Sequence, residues 1–153
     1  MAINVEQRIR DYLPGLRHMT LATVGENGAP WATELDFVVR DDLTICFRSL
    51  ATRGHSQNIA RDPRVAGTIV RQHEVGQPVE GLSFVGSAAL IGAGPNQDQY
   101  AELFVSQLGA SPGIVERAAA GGPQFYAVDV ATWSYYSAAE SSAPQTYELP
   151  MNT

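Results

Sequence analysis

A chain of 153 residues, 44% apolar and 17% charged, is long enough to bury a sizeable core and has the composition of an ordered globule. Its net charge of −6 excludes a broad electrostatic grip on nucleic acid or on an anionic membrane, while leaving room for a confined basic pocket. One cysteine, Cys46, excludes an internal disulfide and a thiolate metal cluster.

Val5, Ile9, Tyr12 and Leu13 recur at helical spacing, with Asn4 and Gln7 in capping positions and Pro14-Gly15 as a stop. Charges at Glu6, Arg8, Arg10 and Asp11 make this segment neither a secretory signal nor a membrane span, so a cytoplasmic location is expected. Residues 18–24 read as a strand and Gly25-Glu26-Asn27-Gly28 as a tight turn, because Asn and Gly tolerate positive φ. Residues 31–39 form the return strand, Arg40-Asp41-Asp42 the next turn, and residues 43–49 a third strand. Cys46 alternates there with core residues, which predicts a packed thiol rather than a nucleophile. A corner at residues 50–52 leads into a short helix from Arg53 to about Ala60. Asp62-Pro63 stops it, since the residue before proline disfavours helix.

Residues 65–71 form a fourth strand, residues 73–78 a loop and residues 79–91 a long fifth strand. The glycines of that strand predict a bulge or a close approach. After a break at residues 92–95, a helix carries Tyr100, Leu103, Phe104 and Leu108 on one face and ends at Gly109. A second short helix runs from Ser111-Pro112 through Ala120, and residues 124–136 form a sixth strand. The tail from Ser137 is polar and contains proline, and is expected to be loosely held or used at a subunit contact. No repeat or linker divides the chain, which reads as a single domain over residues 1–153. Hairpin-linked strands with helices placed late predict an α+β design, a six-stranded antiparallel barrel with peripheral helices.

The corner between the third and fourth strands holds the chemistry. Thr52 stands where an N-cap belongs, and the first amides of the following helix lack intrahelical acceptors. Gly54 removes a side chain where a ligand would approach the backbone. Arg53 supplies a planar fork for phosphate oxygens, and His55 a second donor. Together they suit a phosphate cradle, the alternative being an ordinary surface corner in which Arg53 is solvated and Thr52 only caps the helix. Elsewhere, His18, His55 and His73 show no metal-ligand spacing, and neither a phosphate loop nor a Rossmann glycine pattern is present. Trp31, after Gly28-Ala29-Pro30, reads as a packing residue.

Several of these features occur together in a recognisable order. A hairpin of the form ATV-x-x-x-G-x-P spans Ala22 to Pro30, a strand ends in Ser49, and a Thr-Arg-x-His turn follows at Thr52 to His55. An Asn-x-x-x-x-Pro-x-Val run then joins Asn58 to Val65, and the glycine-rich strand EGLSFVGSAAL comes after it. In these respects residues 16 to 136 resemble the pyridoxamine 5′-phosphate oxidase-like FMN-binding split-barrel proteins, in an uncharacterised branch. The resemblance implies a homodimer with FMN in a cleft at the subunit interface. It implies that Ser49, Thr52, Arg53 and His55 hold the phosphate, supported by Asn58. The strand carrying Thr33 and Glu34 would run along the flavin ring, Gln72 would contact the ring, and Trp133 would cover the cofactor across the interface. The function implied is that of a low-specificity oxidoreductase fed by a reduced nicotinamide, with the ring doing the chemistry.

The match also has gaps. The family's oxidases carry an Arg-x-x-x-Leu-Lys motif on the second strand, where this chain has Thr33-Glu34-Leu35-Asp36-Phe37-Val38. They end in an Arg-x-His segment, and here the last residues contain neither Arg nor His. A vitamin B6 oxidase is therefore not expected. Two alternatives use the same barrel. One is a non-enzymatic module binding haem or a flavin, with His55 or His18 as axial ligand. The other is a reductase dependent on the deazaflavin F420, which the acidic second strand disfavours.

Overall fold

The computed structural model describes residues 3–140 and 143–150. Its strands are β1 (His18–Val24), β2 (Pro30–Val39), β3 (Ile45–Ser49), β4 (Arg64–Ile69), β5 (Glu80–Ile91), β6 (Gln124–Ser137) and β7 (Gln145–Glu148). They pair antiparallel in the order β3-β2-β1-β4-β5-β6-β7, and a further β3–β6 ladder closes the first six into a barrel. Helices α1 (Val5–Tyr12), α2 (Gly54–Arg61), α3 (Pro95–Leu108) and α4 (Ile114–Ala119) pack around it. The expected α+β antiparallel barrel is present, and β7 is an addition outside it. Among the described residues no helix is long and apolar enough to cross a membrane.

Period-two alternation sends one face of each strand inward. On β1 the buried residues are Met19, Leu21 and Thr23, and Met19 and Leu21 join Phe37, Phe47, Phe84, Val128 and Trp133 inside. Two helices complete this interior cluster from opposite ends of the barrel. Helix α1 contributes Ile9 and Tyr12, and the Tyr12 hydroxyl donates to the Glu80 carbonyl at the start of β5. Helix α2 contributes Ile59, and the Asn58 side-chain amide donates to Thr23 Oγ1 at the far end of β1. A second cluster lies outside the barrel wall, where Val38, Cys46 and Phe125 pack under Tyr100, Phe104 and Ile114 of α3 and α4. Cys46 is fully buried there, and desolvation pushes its thiol far above the ordinary value. It is the packed thiol the alternation predicts.

Local signals shape the element ends. The Asn4 side chain accepts from the Gln7 amide and caps α1, while the Gln7 side chain turns to Asp11. Asn27 and Gly28 take positive φ in the first hairpin, and Gly109 ends α3 in the left-handed region at φ 67°. Leu43 also has positive φ, at 66°, so the third strand begins at Ile45 rather than at residue 43. The polar tail differs most from expectation. Residues 145–148 add β7 to the edge of β6, pairing Trp133 with Tyr147. Of that tail, residues 141–142 and 151–153 lie outside the described residues.

The expected bulge in the fifth strand falls between Val85 and Gly86, where the register with β6 shifts. A Cβ on Gly86 would stand 2.2 Å from the Asp129 carbonyl oxygen. Because the obstacle is backbone, the ladder itself would have to move. Gly86→Ala is expected to cost about 1–3 kcal/mol or more in urea unfolding. Wild-type stability in this variant would show that the two strands separate there without cost.

Candidate functional site

The barrel is incompletely zipped beside α2. Strand β2 pairs with β1 along Pro30–Asp36, but with β3 only over Phe37–Val39. The first half of β2 therefore has a second edge with no neighbouring strand, next to the end of β3 and the start of α2. Backbone donors and acceptors on such an edge are available to a ligand.

The two strands and the helix bring together Ser49, the stretch 52–55, Trp31 and Thr33. Ser49, the last residue of β3, shares a 2.7 Å hydrogen bond with His55 Nε2, and both residues are buried. Phe47 meets the His55 ring edge-on at 6.3 Å. Burial first, and then the charge of Arg53, hold the His55 imidazole below its ordinary value, so it is neutral at pH 7. His55 thus orients the Ser49 hydroxyl rather than adding a positive charge. Thr52 and Arg53 are exposed. Arg53 has no ion-pair partner among the described residues and is the one full cation of the corner.

Two details of the corner differ from the sequence reading. The N-cap of α2 is Arg53, with extended backbone and no side-chain cap bond, so Thr52 lies one residue before the cap. Gly54 is needed for a neighbour already in place: a Cβ there would lie 2.6 Å from Trp31 Cζ2. The indole, half exposed, lies against the start of α2 while its Nε1 donates to Thr33 Oγ1 at 3.1 Å. Trp31 is thus the site residue that sequence reasoning set aside, since its partner is 23 positions away. Gly54→Ala is expected to displace the indole, seen as a red shift and changed acrylamide quenching of tryptophan emission. An unchanged spectrum would mean that the contact is not formed in solution.

The remaining candidates separate. Asn58 is buried, donating to Thr23 and accepting from Arg61, so it ties α2 to the barrel instead of facing the corner. Thr33 and Glu34 project from opposite faces of β2. Thr33 is on the corner side, while Glu34 is on the outer face, where the Thr20 hydroxyl donates to it. Asp36 shares that outer face and binds His18 Nδ1 at 2.7 Å, so neither carboxylate confronts the corner. Gln72 lies with Arg71 and His73 in an exposed loop near Tyr12 and Glu80, on the α1 side of the barrel, away from the corner. Trp133 requires outright correction. It is fully buried inside the barrel, its ring 5.5 Å from that of Phe84, and cannot cover a surface cofactor. A large apolar residue on an inward position of β6 is worth more in the core than at an interface. The Ser56 hydroxyl, in the first turn of α2, is buried without a hydrogen-bond partner among the described residues.

The fold and this site can be set beside known proteins. A family model described as pyridoxamine 5′-phosphate oxidase matches residues 5–137. Among curated protein sequences, no relative matches. Among solved structures, a haem binding protein from Mycobacterium smegmatis superposes with a TM-score of 0.80 at 15% identity, over 97% of this chain and 59% of that one. This chain thus spans less than two thirds of that protein's length. A haem storage protein from Vibrio cholerae gives 0.68 at 17% identity, over 82% of this chain and 89% of that one. General stress protein 26 from Bacillus anthracis gives 0.67 at 14% identity, over 96% and 100%. At such identities the likenesses speak for a shared barrel. The family match covers most of the chain, including the split edge of β2 and the Ser49–His55 corner, and by it this chain belongs to the pyridoxamine 5′-phosphate oxidase family.

Proposed function

We propose that this protein binds FMN at the split beside α2 and serves as a flavin-dependent oxidoreductase of broad specificity. The observation that carries the reading is the Ser49–His55 hydrogen bond at the end of β3, with the exposed, uncompensated Arg53 next to it. Arg53 would pair with the phosphate dianion, and the first amides of α2 and the oriented Ser49 hydroxyl would complete the cradle. The open edge of β2 would supply backbone partners to the polar rim of the ring, with the Trp31 indole as a side wall. The bound flavin supplies electron transfer, and the chain supplies position and polarity. The test is the visible spectrum after FMN addition and desalting, with the thermal midpoint measured alongside. A retained flavin band and a raised midpoint are expected. Colourless protein with an unmoved midpoint would remove the reading.

The same reading makes the active form a homodimer, because one copy leaves the split open on its outer side. The exposed face of β1, β2, β4 and β5 presents short side chains at Ala22, Ala32, Ala66, Thr68 and Ser83, with Val85 half exposed among them. A face of short side chains, with Glu34 in the row of Thr20, Thr68 and Ser83 held by the Thr20 hydroxyl, suits close approach by a second copy. Sedimentation should give a dimer, and Val85→Glu a monomer.

One observation favours a second reading, haem binding without redox turnover. His55 is unsuited as an axial ligand because it is buried against Ser49. His18 is exposed, and Asp36 holds its Nδ1, leaving Nε2 outward. This carboxylate–histidine pairing is the usual second support of a metal-bound imidazole. A haem titration separates the readings: a Soret shift abolished by His18→Ala favours haem, and no shift removes it.

A further inference from the structure

A second arginine without an ion-pair partner among the described residues is Arg48, next to Ser49 on β3 but on the opposite face of the strand. Arg48 lies on the outer face of β3, between the barrel wall and α3. Its guanidinium stacks on two rings, 5.7 Å from the centroid of Phe104 and 5.6 Å from that of Phe125. Stacking satisfies the faces of the fork but not its edge, where five N–H donors lie in the plane. The Nε is buried with no hydrogen-bond partner, and no carboxylate among the described residues pairs with Arg48.

The fork opens into a cleft of about 260 Å³ lined by Arg17, Asp36, Arg48, Phe104, Leu108 and Pro123. Arg17 donates once, to the Leu108 carbonyl at the end of α3, and is otherwise available. Asp36, the one carboxylate of the cleft, is engaged by His18. Burial, and after it the charge of nearby Arg117, push the Arg48 guanidinium down from its ordinary value. Two cations facing one small cleft with a single, occupied carboxylate leave positive potential there, on a protein that is acidic overall.

We propose that this cleft is an oxyanion-binding site, in which Arg48 and Arg17 receive the carboxylate or phosphate head of a small metabolite whose body rests on Phe104, Leu108 and Pro123. A planar fork held between two rings is already oriented for bidentate binding, so little side-chain freedom is lost when the anion arrives. The site is separate from the corner at Arg53 and does not depend on the flavin reading.

Calorimetry and thermal unfolding with benzoate and with inorganic phosphate, against chloride at equal ionic strength, test the proposal on the whole chain. At least one probe is expected to bind and raise the midpoint. Benzoate alone would identify a carboxylate with an apolar body, and phosphate alone a phosphate head. Arg48→Met should weaken binding of the probe by about tenfold or more, and Arg53→Ala should leave benzoate binding unchanged. Should Arg48→Met fail to fold, the exposed Arg17→Met variant carries the same expectation. Neither probe binding to the wild type, or undiminished binding in the Arg48 and Arg17 variants, would overturn the site. Loss of binding in Arg53→Ala alone would assign the anion to the corner instead.

Discussion

Arg53→Ala is expected to weaken FMN binding by about ten- to a hundredfold while leaving the unfolding midpoint of the free protein nearly unchanged. The first part follows from charge. His55 is held neutral by burial, so Arg53 is the one cation at the corner, and a hydrogen bond to a charged group contributes about 1.5–3 kcal/mol. The second part follows from exposure: Arg53 is at the surface and forms no ion pair among the described residues. The wild-type affinity should also fall as salt rises, and the variant's much less, because an exposed charge pair is screened. Fluorescence titration of FMN at two ionic strengths measures both effects. Equal affinities for wild type and variant would place the phosphate elsewhere.

The largest stability effect belongs to Trp133. Trp133→Ala should cost about 3–5 kcal/mol in urea unfolding, a large part of what a domain of this size holds in reserve. The indole is fully buried, and the barrel walls on both sides limit how far the vacated space can close. Its Nε1, however, is buried without a hydrogen-bond partner among the described residues. Trp133→Phe keeps the ring contact with Phe84 and removes that orphaned donor, so its cost should be well below that of Ala. A tolerated Trp133→Ala, costing under about 1 kcal/mol, would contradict the interior placement. Cofactor affinity per folded molecule should be the same in both Trp133 variants, which separates a core role from a binding one.

These two residues show what reading along the chain can and cannot place. The exposed turn that carries Arg53 was legible because local chemistry defines it: a glycine and a short helix stopped by Asp62-Pro63 lie within ten positions. Trp133 was not, because β6 is aromatic on both faces. Period two says that Trp133 and Tyr135 share a side, but not that their side is the interior. The strand β7 escaped notice for a related reason. Residues 145–148 are polar and short, and form a strand only because the edge of β6 is there to pair with.

By itself the sequence determined the antiparallel hairpins, the helix ends at Asn4 and Gly109, the bulge in the fifth strand and the chemical inventory of the corner, because each depends on neighbours within a few residues. Tertiary structure alone decided that His55 is a buried partner of Ser49, that Gly54 makes room for Trp31, that β2 keeps an open edge, and that Arg48 lines a cleft with no ion-pair partner of its own among the described residues. Each of those depends on which strand faces were buried when the barrel closed. Burial also sets charge: desolvation inside that closed wall is the main reason His55 is neutral, while Arg53 at the rim keeps its charge in water.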